Sequence, residues 1–268
     1  MKFEIFGTFI LVFFGLGAVA VDVTSGGALG LSGVAIVWGL ALMMGIYSCG
    51  SSSGAHFNPS ITIAMCILGK MNWSKSLAYI LAQFIGAALA AMCVFMLFSG
   101  FIKEFEVDNG ITRGEPGSEA SAMIFGEYFP NPNATPFVAS NKSGSVTPIQ
   151  AFGAEFLGTL FLAAVVFNLT DNKNLGRPKE LVAFAVGGAL TALICVFGPL
   201  TMAGFNPARD FAPRIISSFL GWGSIPFTVN SSWWFAVYGV APILGAICGG
   251  GLSKILFNGI KEPEESVS

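Results

Sequence analysis

Long apolar segments free of Asp, Glu, Lys and Arg alternate with short polar connections along most of the chain. A helix of about 20 residues crosses the hydrocarbon core of a bilayer, whereas membrane β-strands are shorter and alternate in polarity. The pattern therefore predicts an all-α integral membrane protein with six transmembrane helices. The charge-free segments span residues 5–21, 34–57, 76–101, 156–170, 181–208 and 233–253.

Two further apolar stretches, at residues 61–68 and 211–220, are too short to cross a bilayer. Each follows an Asn-Pro pair, in which Asn is a strong helix N-cap and Pro suits the first helical position. The sequence therefore predicts two half-helices that begin inside the membrane and meet near its midplane. The two tripeptides are Asn58-Pro59-Ser60 and Asn206-Pro207-Ala208.

The chain contains an internal repeat. Residues 4–8 read Glu-Ile-Phe-Gly-Thr, and residues 155–159 read Glu-Phe-Leu-Gly-Thr. Each copy has three spans and one half-helix, and an odd number of spans forces the second copy to enter the membrane from the opposite side. Such inverted repeats place the working site near the midplane. The predicted organisation is a first repeat (1–102), an outer connecting loop (103–149), a second repeat (150–258) and a tail (259–268).

Composition and charge distribution support this topology. The chain is 54% hydrophobic and 10% charged, with a mean hydropathy of +0.73, outside the range of soluble domains. Basic residues concentrate in connections that six spans place on one side, which predicts cytoplasmic termini and an external long loop. That side carries Lys2, Lys70, Lys75, Lys173, Arg177, Lys179, Lys254 and Lys261, against Lys103, Arg113 and Lys142 on the other.

The sequence has few residues of the types that form catalytic or metal-binding sites. His56 is the only histidine, and we expect it to pack beside the first loop with one ring nitrogen bonded to backbone. The five cysteines show no metal-type spacing, and no Ser/His/Asp set or phosphate-binding loop is apparent. We therefore expect no enzyme activity, catalytic residue, metal, cofactor or nucleic-acid partner.

Four polar side chains at or inside the spans suggest how the site works. Ionisable groups in a membrane usually mark function or internal pairing, so Glu4 and Glu155 are expected to accept hydrogen bonds from the loops preceding the half-helices. For Glu4, exposure at the membrane edge is the alternative. Because each cap oxygen serves its own helix, the amide groups of Asn58 and Asn206 are expected to face the lumen as donors.

The chain resembles the aquaporin or major intrinsic protein family over nearly its whole length. The resemblance rests on the paired Asn-Pro boxes, the Glu-x-x-Gly-Thr repeats, the run Ser53–Pro59 and the run Phe205–Asp210. The continuation to Arg214, with Gly221-Trp222-Gly223 and the outer loop, is similar to the glycerol-facilitator branch. The resemblance implies a passive channel in the plasma (cell inner) membrane, embedded in the lipid bilayer as a homotetramer with one pore per subunit.

The same resemblance implies roles for individual residues. The selectivity filter would comprise Trp38, Ile194, Ala203 and Arg209, and the guanidinium of Arg209 would add a positive barrier to cations. The backbone carbonyls before each cap would replace the hydration of the solute. That ladder would be formed by Gly54, Ala55, His56 and Phe57 in the first loop, and by Met202, Ala203, Gly204 and Phe205 in the second.

The sequence leaves the solute open. Glycerol with water is the leading expectation, but the set Trp, Ile, Ala, Arg is closer to plant nodulin-26-like members, which pass glycerol, water and metalloid acids. A water-selective or metalloid-permeable aquaporin, with urea as a further solute, therefore stays an alternative. An ion-coupled secondary transporter also has inverted repeats. It requires an intramembrane relay of ionisable groups, and beyond Glu4 and Glu155 none is visible.

Overall fold

The computed structural model describes residues 1–133, 146–174, 176–177 and 179–257. Residues 134–145 of the predicted outer loop, with Lys142, and the predicted tail, with Lys261, lie outside the described residues. The helices in chain order are α1 (Lys2–Thr24), α2 (Gly30–Ser53), α3 (Pro59–Ile67), α4 (Trp73–Asp108), α5 (Glu119–Ala122), α6 (Pro148–Thr170), α7 (Val182–Thr201), α8 (Pro207–Ser217), α9 (Ile225–Thr228), α10 (Trp233–Phe235) and α11 (Ala241–Leu256).

Among the residues that the structure describes, six helical segments are long and apolar enough to cross a membrane, which confirms the predicted fold class. They are Lys2–Thr24, Gly30–Ser53, Trp73–Asp108, Pro148–Thr170, Lys179–Thr201 and Trp233–Leu256. The last segment combines α10, a π-helical stretch at Ala236–Val240, and α11.

Helix α4 is longer than its charge-free segment and continues to Asp108, so the predicted boundary after residue 102 falls within a helix. The charges in residues 103–108 mark the limit of the apolar layer, but Lys and Glu are good helix formers and do not end the helix. Glu106 is further held by an ion pair with Arg113, whose Nη2 lies 2.7 Å from Oε2.

The two repeats interlock through their half-helices. Helix α3 packs against α11 of the second repeat, and α8 packs against α4 of the first. Within the repeats, α1 lies on α4 and α6 lies on α11, and both pairs approach through glycine. A Cβ at Gly86 would lie 2.4 Å from the Ile5 carbonyl oxygen, and one at Gly245 would lie 2.2 Å from that of Phe156. Each half-helix is thereby held at the centre of the bundle.

Candidate functional site

The two half-helices begin side by side, and the Asn cap of each donates a hydrogen bond to the loop that precedes the other. Asn58 accepts from Ser60 N at 2.8 Å through Oδ1, while its Nδ2 donates to the Phe205 carbonyl at 2.7 Å. In the second repeat, Asn206 Oδ1 caps α8 and Nδ2 donates to the Phe57 carbonyl at 2.8 Å. The expectation that both amide groups face the lumen is therefore only half right. One N–H of each amide joins the repeats, and each amide has a second N–H, because an amide NH2 has two donors.

The loops before the caps have unusual backbone conformations. Five non-glycine residues there have a positive φ, a left-handed region that costs roughly 1–3 kcal/mol per residue and needs support from its surroundings. They are Ala55 (52°) and Phe57 (50°) in the first loop, and Met202 (64°), Ala203 (63°) and Phe205 (54°) in the second.

Glu4 supports the first loop from inside the protein. Its side chain is fully buried, which excludes the alternative of a position at the membrane edge. The carboxylate accepts from the backbone N–H groups of His56 at 3.1 Å and Phe57 at 2.8 Å. Ser53 Oγ at 2.6 Å and Gln83 Nε2 at 2.8 Å are the other donors. Four hydrogen bonds offset the cost of burying a carboxylate and fix the loop.

Glu155 supports the second loop in the same way. It is fully buried and accepts from the backbone N–H groups of Gly204 at 3.0 Å and Phe205 at 2.7 Å. Thr201 Oγ1 donates at 2.6 Å. The repeated glutamates thus hold equivalent positions behind the two loops.

The glycine of each Glu-x-x-Gly-Thr repeat makes room for an aromatic ring of the loop. A Cβ at Gly7 would lie 2.0 Å from the ring of Phe57, and one at Gly158 would lie 2.0 Å from the ring of Phe205. Both phenylalanines are buried. The motif therefore combines a hydrogen-bond acceptor for each loop with a surface on which the loop packs.

Two cavities meet at the predicted filter. The inner cavity, of about 80 Å³, is lined by both Asn58 and Asn206, and an outer cavity of about 340 Å³ is lined by polar groups that include Asp22. Trp38, Ile194, Met202 and Arg209 line both cavities and so form the boundary between them.

The other predicted site residues lie around this boundary. Ala203 lines the inner cavity alone, as do the ladder residues Gly54, Ala55, His56, Gly204 and Phe205. Phe57 is absent from both linings, and its carbonyl accepts the bond from Asn206. Pro59, Ser60, Pro207 and Ala208 are buried in the first turns of α3 and α8.

His56 differs from expectation. Its Nδ1 lies 3.0 Å from the hydroxyl of Thr62 rather than from a backbone group. Gln83 Nε2 donates to the same hydroxyl at 2.9 Å, so the ring belongs to the network that includes Glu4.

Arg209 lies between an aromatic ring and a carboxylate. Its guanidinium carbon is 4.5 Å from the centroid of the Trp38 ring, and Nε is 2.9 Å from Glu127 Oε1. Asp210, the next residue, pairs instead with Arg214, one turn further along α8, at 2.8 Å. Within the part of the chain that the structure describes, Arg209 Nη1 has no hydrogen-bond partner although it is buried.

Glu127, which lies in the long connecting loop, was not among the predicted site residues. The structure buries it completely. Burial raises the pKa of Glu127 well above its ordinary value, while the guanidinium of Arg209 acts in the opposite direction. A signal was available, because Glu127 lies among Phe125, Tyr128 and Phe129, which are also buried.

The sequence model of the family described as "Major intrinsic protein" matches residues 2–253. The chain belongs to the major intrinsic protein family. Membership makes it a passive channel rather than an enzyme, and the fold described above is that of an aquaporin.

Similar proteins span nearly the whole chain. It is 39% identical over 255 residues to a glycerol uptake facilitator protein of Pseudomonas aeruginosa, covering 94% of this chain and 86% of the relative. It is 34% identical over 263 residues to human aquaporin-9, covering 97% and 83%. Among solved structures, the aquaglyceroporin from Plasmodium falciparum aligns with a TM-score of 0.79 at 25% identity and covers 95% of both chains.

Proposed function

We propose that this chain lets glycerol and similar small neutral solutes diffuse passively across the membrane, with water, while ions and protons are excluded. The observation that carries the proposal is the boundary between the two cavities, where the guanidinium of Arg209 lies against the ring of Trp38. The relatives named as glycerol uptake facilitators support the choice of solute.

The side chains at the boundary are chemically suited to bind a polyol. Trp38 and Ile194 provide an apolar wall for the carbon chain, and Arg209 provides N–H donors for the hydroxyl groups. Arg209 lines both cavities, so N–H groups of its guanidinium are suited to donate to a passing hydroxyl oxygen. A solute with hydroxyl groups and C–H groups on different sides can accept hydrogen bonds from Arg209 and also make apolar contact with Trp38 and Ile194.

Exclusion of ions follows from the centre of the channel. Each half-helix has the equivalent of about half a positive charge at its N-terminus. The two N-termini meet at Asn58 and Asn206, whose remaining N–H groups donate to solute oxygens and accept nothing. Cations are repelled there, and a chain of waters that could carry protons is interrupted.

We further propose a plasma-membrane homotetramer with both termini in the cytoplasm. The basic connections after α3 and α6 support this orientation. Large apolar side chains exposed on the outside of the bundle, among them Phe161 and Phe184, are suited to lipid or to neighbouring subunits.

The test is solute flux into proteoliposomes by stopped-flow light scattering, with water, glycerol, urea and arsenite as the panel. We expect glycerol entry well above that of protein-free liposomes and independent of proton or sodium gradients. Rapid water flow with no glycerol entry would show a water-selective channel. Flux that depends on an ion gradient would instead show a coupled transporter.

A further inference from the structure

Glu127 brings a carboxylate to the boundary between the cavities from a segment outside the repeats. It lies between α5 and α6, yet its side chain has no solvent exposure and Oε1 is 2.9 Å from Arg209 Nε. Arg209 is 4% exposed. Both partners of this ion pair are buried, so removal of either one would leave a buried charge without compensation.

The backbone of Glu127 is anchored to the half-helix that carries Arg209. Its N–H donates to Asp210 Oδ1 at 2.7 Å, and its carbonyl accepts from Arg214 Nη2. Asp210 and Arg214 are themselves paired on α8. The carboxylate is therefore held in register with Arg209 by three contacts that do not involve the solute path.

The second loop is shaped to admit this carboxylate. A Cβ at Gly204 would lie 1.9 Å from Glu127 Oε2, so any larger residue would displace the side chain. Gly204 has no positive φ that would otherwise require glycine. The close approach of Glu127 accounts for glycine at this position.

We propose that Glu127 is a positioning residue that acts through Arg209 to set the preference of the channel for polyols over water. The inference rests on the proposed function. The carboxylate pairs with the guanidinium at Nε, 2.9 Å from Oε1, and so fixes where Arg209 lies at the boundary. Glycerol needs donors at a defined place beside the apolar surface of Trp38, whereas a single water molecule does not. Loss of the carboxylate should therefore impair glycerol passage more than water passage.

Protonation of Glu127 should have the same effect as its removal. The charged groups around it are Arg209 and Arg214, which favour its ionised form, and Glu155 and Asp210, which oppose it. Because burial raises its pKa, acidification should neutralise it at a higher pH than an ordinary carboxyl. Burial also raises the pKa of the Tyr128 phenol, so Tyr128 stays neutral in acid.

The experiment compares wild type, Glu127→Gln and Glu115→Gln in proteoliposomes. Glu115→Gln is the matched control, because it removes the same charge from an exposed position of the same outer segment. At neutral pH we expect Glu127→Gln to lower the ratio of glycerol to water permeability by about tenfold, with water flux retained, and the control to leave the ratio unchanged. Retained water flux shows that the variant is folded.

Two further arms test whether the effect runs through Arg209. In an Arg209→Ala background, Glu127→Gln should change the ratio no further. As the pH is lowered from about 8 to about 5, the wild-type ratio should fall while that of Glu127→Gln stays flat. An unchanged ratio in Glu127→Gln, or an effect that persists without Arg209, would overturn the inference. Absence of glycerol flux in wild type would instead refute the proposed function.

Discussion

Gly158→Ala tests whether the repeated glycine positions the pore loop. The added methyl would lie 2.0 Å from Cε1 of Phe205, whereas ordinary carbon contacts are about 3.5–4.0 Å. The ring must therefore move by about 1.5 Å, the difference between these distances. Phe205 cannot move freely, because its N–H is bonded to Glu155 at 2.7 Å and its carbonyl to Asn58 at 2.7 Å.

The expected cost has two parts. Overpacking a well-packed interior typically costs about 1–3 kcal/mol. Stretching or breaking either hydrogen bond of Phe205 adds about 0.5–1.5 kcal/mol. We expect Gly158→Ala to lose about 1.5–4.5 kcal/mol of stability, the sum of these two parts. We expect glycerol flux to fall by at least about tenfold because the loop lines the inner cavity.

Gly153→Ala is the matched control on the same helix. A Cβ there meets nothing within 4 Å, so the substitution should leave flux unchanged and stability equal or slightly higher, since Ala is the better helix former. Thermal unfolding in detergent and stopped-flow glycerol flux are measured for both variants. Equal behaviour of the two alanines in both assays would refute the steric reasoning.

Three other substitutions examine separate parts of the account. Arg209→Ala should widen the boundary and weaken both glycerol preference and cation exclusion, and an unaltered solute preference in flux assays would contradict its role. Glu155→Gln should destabilise the protein by about 1–3 kcal/mol in thermal unfolding, because an amide NH2 would face the loop donors, and wild-type stability would argue against that role. Gly86→Ala should separate α1 from α4 and lower the unfolding temperature, whereas Gly100→Ala, which meets nothing within 4 Å, should not.

Much of the architecture could be predicted because helix starts and membrane spans depend on short segments of the sequence. Asn before Pro followed by an apolar stretch predicts a helix start, and α3 begins at Pro59 and α8 at Pro207, each after an Asn cap. Charge-free length predicts a span because the bilayer core has a fixed thickness. The ends of spans were less well predicted. Helix α4 continues past Lys103, since charge ends the apolar layer but not the helix.

Contacts between distant segments could not be predicted in the same way. The bonds from Asn58 to Phe205 and from Asn206 to Phe57 join the two repeats, and nothing local to either cap distinguishes a partner loop from the lumen. Glu127 is a similar case. Its residue type indicates solvent, and the residues that hold it inside, Arg209, Asp210 and Arg214, are distant along the chain.

The central claim is that the paired half-helices pass neutral solutes and stop charges. It is tested most directly by measuring glycerol entry and proton leak in the same proteoliposomes, with a pH-sensitive dye inside and light scattering recorded in parallel. We predict glycerol entry far above that of protein-free vesicles and a proton leak equal to theirs. A proton leak that rises with the amount of protein, or glycerol entry no faster than through lipid alone, would contradict the account.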